Sequence, residues 1–378
     1  MKLLHLADLH IGKRVNEFSM IEDQRYILTK IINIIDEEKP DAILIAGDVY
    51  DKSVPSSEAV EVLDKFINDI ASRKIETFII SGNHDGAERL AFASKLIDTT
   101  GIHISPAYNG NIDAKTLNDE YGSVNFYMLP FIKPINVKQI FKLEENISYS
   151  EAVKIAIEKM NIDKSQRNVL LSHQFVTGAS VCDSEDLSVG GTDGVSASVY
   201  EDFDYVALGH IHGPQRVSRD TIRYSGTPLK YSFSEVNHKK SVTIVNIGEK
   251  GNVTVSTIPL NAKRDLVELK GKYDELMDKS FYDKKNLDDY YHITLTDEND
   301  VVDAIFKLGK IYKNIMKLDY DNARTQSIGK LTAVNDVEHK QPIELIDDFY
   351  KKQNGLDMDE NQLSYINSII EKVWEEQK

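Results

Sequence analysis

Five short apolar runs in this chain each end in residues that bind metals or move protons. Leu3-Leu4-His5-Leu6-Ala7 leads into Asp8 and His10, and Ala42-Ile43-Leu44-Ile45-Ala46 leads into Gly47-Asp48. Thr77-Phe78-Ile79-Ile80-Ser81-Gly82 leads into Asn83, His84 and Asp85. Val169-Leu170-Leu171-Ser172 ends in His173, and Tyr205-Val206-Ala207-Leu208-Gly209 ends in His210 and His212. Singly, each motif is weak or moderate, with Gly82-Asn83-His84-Asp85 and Gly209-His210-Ile211-His212 the stronger two. Together, in order and each at a strand tip, they are a specific signal for one shared site. They place it at the edge where open α/β sheets bind ligands.

Carboxylate, amide oxygen and imidazole suit Mn, Fe or Zn, and the lack of thiolate ligands argues against a structural zinc site. Two ions ~3.5–4 Å apart clamp the attacking and leaving oxygens of a phosphoryl displacement, and a bound water becomes acidic near neutral pH. Asp48 is the expected centre, because a carboxylate has two oxygens and can bridge two ions. Gly47, Gly82 and Gly209 are read as permitting tight turns into the site.

The elements that must position these residues are legible from periodicity. Ile21, Arg25, Leu28, Ile31, Ile32 and Ile35 recur at helical spacing, and Pro40 ends that helix. Asp51 to Ser57 is a turn with N-cap chemistry. The helix after it carries Val60, Leu63, Phe66, Ile67 and Ile70, a face for packing on the sheet or, with Leu90 to Ile97, for a dimer contact. Val124 to Leu129 reads as a strand and Glu151 to Met160 as a helix, so βαβ units fill the first two hundred residues. Gln215–Val217 with Thr221–Tyr224, and Ser241–Ile247 with Val253–Ile258, read as hairpins of a second, antiparallel sheet region.

The expected fold is α/β. A two-sheet sandwich flanked by helices spans residues 1–260, and a small α+β capping domain spans 264–320. A polar linker covers 321–341, and a C-terminal helical pair fills 342–378. In the small domain, Leu266–Leu269, Tyr290–Leu295 and Asn314–Leu318 read as strands and Val301–Leu308 as a helix. In the tail, Ile343, Ile346, Phe349 and Tyr350 make one face. Asn354-Gly355 makes a turn. Leu363, Ile366, Ile370 and Val373 make a second face beside Trp374.

The 378 residues suit one large domain and smaller ones, and 41% hydrophobic with 28% charged residues describe an ordinary globular protein. The single Cys182 fits a reducing compartment. No stretch approaches the ~20 apolar residues of a membrane span, and the first strand leaves no room for a signal peptide, so a cytoplasmic location is expected. A net charge of -16 argues against a generic DNA-coating protein. It does not exclude a nucleic-acid enzyme, because bound dications would make the site locally positive.

The set Asp8-x-His10, Gly47-Asp48, Gly82-Asn83-His84-Asp85, His173 and Gly209-His210-x-His212 resembles the calcineurin-like metallophosphoesterases. More narrowly, Gly209 to Gln215, Tyr224 to Glu235 and Lys239 to Val242 resemble the bacterial SbcD family, counterpart of the meiotic-recombination double-strand-break nucleases. The resemblance covers nearly the whole chain. It implies one metal on Asp8, His10, Asp48 and His212, a second on Asp48, Asn83, His173 and His210, and His84 as a non-ligand that contacts the scissile phosphate. Asp51 stands where the archaeal and eukaryotic branch has His, and enters as a further substrate contact.

The resemblance also implies two Mn2+ ions and a 3′-to-5′ exonuclease on duplex DNA that is an endonuclease on single strands and hairpins. It would act in repair, replication and recombination. The implied partner is an SbcC-like ABC ATPase bound through the C-terminal helices, in a heterotetramer built on a homodimer. Rival readings are a protein phosphatase or cyclic-nucleotide phosphodiesterase on the same fold, and a DNA-end tether with structural metals. His5, His103, His238, His292 and His339 read as core or surface residues, and Cys182 carries no assigned function. Lys239 and Lys240 either touch phosphate or lie on a solvated face.

Overall fold

The computed structural model describes residues 1–185, 193–323 and 358–375, with positions 325, 343, 346, 347, 350 and 351 between the last two stretches. It divides into two compact units, Met1–Leu266 and Val267–Lys378.

The first unit is a sandwich of two six-stranded sheets. Ala42–Ala46 is buried at every position. It pairs in parallel with Lys2–Leu6 on one side and Glu76–Ile80 on the other, and Ile102–Ile104 follows at the edge. In the second sheet, Gly122–Leu129, Arg167–His173, Tyr205–Gly209 and Arg219–Tyr224 run parallel. Side chains alternate between two cores. Leu44, Phe78, Phe126, Val169, Leu171 and Ala207 fill the space between the sheets, where the Phe78 and Phe126 rings stack at 4.4 Å. Their neighbours Tyr127, Leu129, Leu170, Val206 and Leu208 join Val153, Ala156 and Ile157 of the helix Tyr149–Glu158. Strands buried on both faces read as unbroken apolar runs, which is why they were legible. The helices Ile21–Glu38 and Ser57–Ala71 bury Ile27, Ile31, Ile35, Phe66 and Ile70.

The α/β sandwich is the fold the alternating pattern implies, but the hairpins do not form a separate antiparallel sheet. Ser241–Ile247 and Val253–Pro259 extend the first sheet, pairing antiparallel with Lys2–Leu6. Gln215–Val217 and Arg219–Tyr224 extend the second, whose centre is parallel. A hairpin's own pairing is local, whereas the edge it joins is a long-range choice. The edge strand Lys115–Asp119 gave no signal, because its five polar-rich residues alternate only between half-buried and exposed. The helix Pro134–Phe141, started by Pro at its first position, was also missed. His5 is a core residue. Its Nδ1 lies 2.9 Å from the Tyr205 hydroxyl of the other sheet, and burial lowers its pKa to about 3, so it is neutral.

In the second unit, Leu266–Gly271, Tyr290–Leu295 and Asn314–Tyr320 form a three-stranded sheet. Its core holds Leu276, Tyr291, Ile293, Leu308 and Tyr312. The helix there is shorter than expected, Ala304–Leu308. Among the described residues the tail contains one long helix, Glu360–Glu375. Ile366 and Ile370 are half-buried, while Tyr365 and Ile369 are exposed. Most of the linker 321–341, His339, Phe349, the Asn354-Gly355 turn and the Trp374 side chain lie outside the described residues.

The two sheets touch at the C-terminal tips of Ala42–Ala46 and Tyr205–Gly209. A Cβ on Gly209 would lie 1.8 Å from the carbonyl oxygen of Ala46, backbone against backbone. Neither strand can retreat without breaking its ladder. Gly209→Ala is expected to destabilise the fold by about 3 kcal/mol, the upper end of the usual overpacking cost. An unchanged urea midpoint would show that the sheets do not approach this closely.

Candidate metal centre

Each predicted site residue sits at the tip of its strand, as His173 does, or on the loop that follows, and the first two loops are stitched together by backbone hydrogen bonds. Asp8 N–H donates to Gly47 O at 3.0 Å and His10 N–H to Asp48 O at 2.9 Å. The Asp85 carboxylate accepts from the amides of Val49, Tyr50 and Gly82 at 3.1, 2.9 and 2.9 Å. It therefore ties the Gly47-Asp48 loop to the Gly82-Asn83 loop. Burial raises the pKa of Asp85 to about 6, Asp48 adding to the rise and the three amides opposing it.

Gly47 has φ of 86° and faces the His173 ring, where a Cβ would lie 2.2 Å from Nδ1. Gly82 and Gly209 serve differently from the expectation. Their φ values are ordinary, and what they supply is room for Asp48 and for the backbone of Ala46. Asp8, His10, Asp48 and His210 all have positive φ, of 53°, 44°, 47° and 101°. Non-glycine residues rarely adopt this region, and strained backbone of this kind clusters at functional sites.

The structure brings together the seven residues expected to bind metals. The Asn83 Oδ1 lies 3.1 Å from His173 Nε2 and 2.9 Å from His210 Nδ1. Asp48 Oδ2 lies 3.3 Å from His173 Nε2 and 3.7 Å from His10 Nε2, so it faces two sets of imidazoles. His10 Nε2 and His212 Nε2 face each other at 3.2 Å. Asp8 Oδ1 accepts from the His210 amide at 2.8 Å, while its Oδ2 is buried with no hydrogen-bond partner among the described residues.

Tautomers follow from the partners. His173 Nδ1 must carry hydrogen, because it donates to Ala46 O at 2.8 Å, and this turns Nε2 inward. His212 Nδ1 sits 3.1 Å from Glu235 Oε1 and 2.9 Å from Ser184 Oγ, which again leaves Nε2 facing the site.

The electrostatics are those of a site built for cations. Burial would raise the Asp48 pKa and lower that of His173, but their mutual attraction wins: Asp48 stays ionised and His173 rises to about 9. Burial lifts Asp8 to about 7, helped by Asp48 and opposed by His173 and His212. It also drops His210 to about 3 and His10 well below its ordinary value, so both offer neutral nitrogen lone pairs. Lone pairs converge on a small volume with too few protons between them, and the donor set fits divalent metals.

His84 is set apart. Its amide donates to Asp48 Oδ1 at 2.9 Å and its Nδ1 to the Asp51 carbonyl at 3.1 Å, with Nε2 4.0 Å from Asp48 Oδ2. The ring is one-fifth exposed and stands edge-on to His10. The Asp51 carboxylate pairs with Lys13 at 2.8 Å and lies 3.8 Å from His10 Nδ1.

Glu235 is the main omission, and Lys240 is misplaced by both of its sequence readings. Lys240 is neither a phosphate contact nor on a solvated face. It is buried, and its Nζ donates to His212 O at 2.9 Å, Thr227 Oγ1 at 2.6 Å and Glu235 Oε2 at 2.5 Å. A lysine beside two polar neighbours reads as surface, and the one available signal of a buried cation is the nearby Glu235. Ser184 and Glu185 complete the support. Ser184 Oγ donates to Glu235 Oε1 at 2.7 Å, and Glu185 accepts from the His212 amide at 2.9 Å. Cys182 is half-buried, 3.1 Å from Ser184 Oγ.

The family model of calcineurin-like phosphoesterases matches residues 1–214, and that of the type 5 capsule protein repressor C-terminal domain matches residues 262–354. The D subunit of the SbcCD nuclease of Staphylococcus epidermidis is 34% identical over 377 residues, covering 98% of each chain. Among solved structures, TT1561 of Thermus thermophilus is 11% identical with a TM-score of 0.38, covering 68% of this chain and 98% of its own. A dimetal phosphatase from Danio rerio is 12% identical with a TM-score of 0.38, covering 69% and 99%.

Removing one member of a buried ion pair strands the other. Lys240→Met is expected to destabilise the protein by about 3–5 kcal/mol, and Lys240→Met with Glu235→Gln should recover part of that loss. Urea denaturation of the two variants reads the difference. If the double variant is no more stable than the single one, Lys240 acts by packing and not by charge.

Proposed function

The chain belongs to the calcineurin-like phosphoesterases and, over nearly its full length, to the family of the SbcCD nuclease's D subunit, and from that premise we propose that it is a metal-dependent DNA nuclease. It hydrolyses phosphodiester bonds as a 3′-to-5′ exonuclease on duplex ends and as an endonuclease on single strands and hairpins. The observation that carries this reading is the double convergence on Asp48, with His10 and His212 in one group and Asn83, His173 and His210 in the other.

Asp8, His10, Asp48 and His212 would hold one ion, and Asp48, Asn83, His173 and His210 the other, with Mn2+ as the expected metal. Such a pair supplies an activated water and neutralises phosphate charge. Glu235 and Lys240 keep the His212 tautomer and ring angle. Outer partners of this kind typically account for about 10–100-fold in metal affinity.

His84 is the chain's own proton donor. With Nδ1–H committed to the Asp51 carbonyl, a protonated Nε2 donates to a phosphate oxygen or to the leaving 3′-oxygen. Asp51 contributes through its backbone by aiming the ring.

An SbcC-like ABC ATPase is the proposed partner, held by the C-terminal helices, where Tyr365 and Ile369 are exposed one turn apart. A homodimer would use the Leu90–Ile97 segment, where Phe92 and Leu96 are 81% and 78% exposed. With two partner chains it completes a heterotetramer. No helix among the described residues is long and apolar enough to cross a membrane, and the single Cys182 accords with a cytoplasmic place in DNA repair, replication and recombination.

Labelled duplex DNA with Mn2+ tests the activity. His84→Gln should bind Mn2+ and DNA near the wild-type level and cleave about 10²–10⁴-fold more slowly, the usual share of a positioned general acid. Recovery of near-wild-type cleavage at saturating Mn2+ would make His84 a structural prop instead. For the partner, Tyr365→Asp with Ile369→Asp should abolish co-purification with an SbcC-like ATPase and leave Mn2+-dependent cleavage intact. Undiminished co-purification would place that interface elsewhere.

A further inference from the structure

Beside Asn83 and His210 lies a cleft that none of the steps above uses. Its volume is about 280 Å³, just below the ~300–1,000 Å³ of pockets for small organic ligands, so it suits one ring system and not a length of duplex. Three walls are aromatic: Phe131, Tyr149 and Phe175. Phe131 lies nearly parallel to the His210 ring, centroids 6.3 Å apart, and edge-on to His173 at 6.2 Å. It therefore borders both the cleft and the imidazoles.

Lys133, Gln174 and the buried Asp193 add polar character. Lys133 is exposed. Gln174 is only 1% exposed, and its Nε2 donates to Ile132 O at 3.1 Å. Its Oε1 is buried without a hydrogen-bond partner among the described residues. A buried amide oxygen left this way destabilises the protein until a donor reaches it.

The walls are pinned before anything binds. The Tyr224 hydroxyl donates to Gln174 O at 2.7 Å and accepts from the Val176 amide at 2.8 Å. The Val195 amide donates to Phe175 O at 2.8 Å. The Ser196 amide donates to Ser150 Oγ at 2.8 Å, beside Tyr149.

Aromatic faces beside an amide, a carboxylate and a cation, next to the phosphate-cleaving centre, have the chemistry of a nucleobase site. Stacking on aromatic rings tolerates every base, and each natural base carries an N–H that Gln174 Oε1, buried as it stands, accepts once its side chain turns into the cleft. We propose, resting on the nuclease reading, that this cleft receives the unstacked base of the nucleotide flanking the scissile phosphate. The substrate is then a nucleotide taken out of its stack. Extrusion is easiest where the base is already unpaired, so frayed ends, single strands and hairpin tips are favoured over intact duplex.

The experiment uses the full chain with Mn2+ and single-stranded oligonucleotides of defined cleavage position. The flanking nucleotide is a natural base, a tetrahydrofuran abasic unit, or the nonpolar thymine isostere difluorotoluene, which stacks but has no N–H. Wild-type cleavage should fall about 5- to 150-fold on the abasic oligonucleotide, the equivalent of one stacked base, and the isostere should recover only part of it. Tyr149→Ala should slow cleavage of the natural substrate and be insensitive to base removal, and Tyr149→Phe should restore the sensitivity.

Equal wild-type rates on natural and abasic oligonucleotides would overturn the proposal, and so would an undiminished abasic penalty in Tyr149→Ala. Full recovery with the isostere would overturn the Gln174 contact. Bis(p-nitrophenyl) phosphate, which has no base, separates the two levels. If wild type with Mn2+ does not hydrolyse it, the nuclease reading itself fails, and if it does, the abasic comparison judges the cleft alone.

Discussion

The contact on which the rest depends is that of the Ala46-Gly47 backbone with His173 and Gly209. The Ala46 carbonyl accepts from His173 Nδ1 and leaves no room for a Cβ at Gly209. That one oxygen joins the tips of the two sheets and decides which nitrogen of His173 faces inward. It also sets how closely Asp48, one residue beyond Gly47, approaches the second sheet. A small shift here would separate Asp48 from His173, and with it the two groups of imidazoles.

The site is assembled at the expense of stability, and the surroundings offset the loss. Four of its residues hold left-handed backbone, each about 1–3 kcal/mol above an ordinary conformation. Two buried carboxylates and several imidazoles crowd one edge. Against this stand the three hydrogen bonds that backbone amides donate to Asp85, the backbone hydrogen bonds between the first two loops, and the buried Lys240–Glu235 pair behind His212. These devices carry no chemistry. They hold groups that would otherwise relax into better conformations or take up protons.

Much of the protein is legible in its sequence because its strands are buried on both faces. Such strands appear as uninterrupted apolar runs, and whatever polar residue ends a run is placed at a sheet edge by the chain's rise of about 3.3 Å per residue. The residues Asp8, His10, Asp48, Asn83, His173, His210 and His212 can therefore be gathered into one site from pattern alone. The sandwich follows from the same pattern, and the non-ligand role proposed for His84 comes from the family resemblance.

What the sequence alone could not decide is everything that depends on a partner far away in the chain. The hairpin Ser241–Pro259 carries its own pairing in its alternation, yet its choice of Lys2–Leu6 as neighbour comes from the free edge of the first sheet. Lys240 looks like a surface residue until Glu235 and the His212 carbonyl close around it. Gly82 and Gly209 look like turn glycines, and only the packed structure shows that they make room for Asp48 and Ala46. The cleft by Phe131, Tyr149 and Phe175 draws on three separate segments. Periodicity reports which side of an element is buried; what it is buried against is fixed by contacts of long sequence separation, and those exist only once the chain has folded.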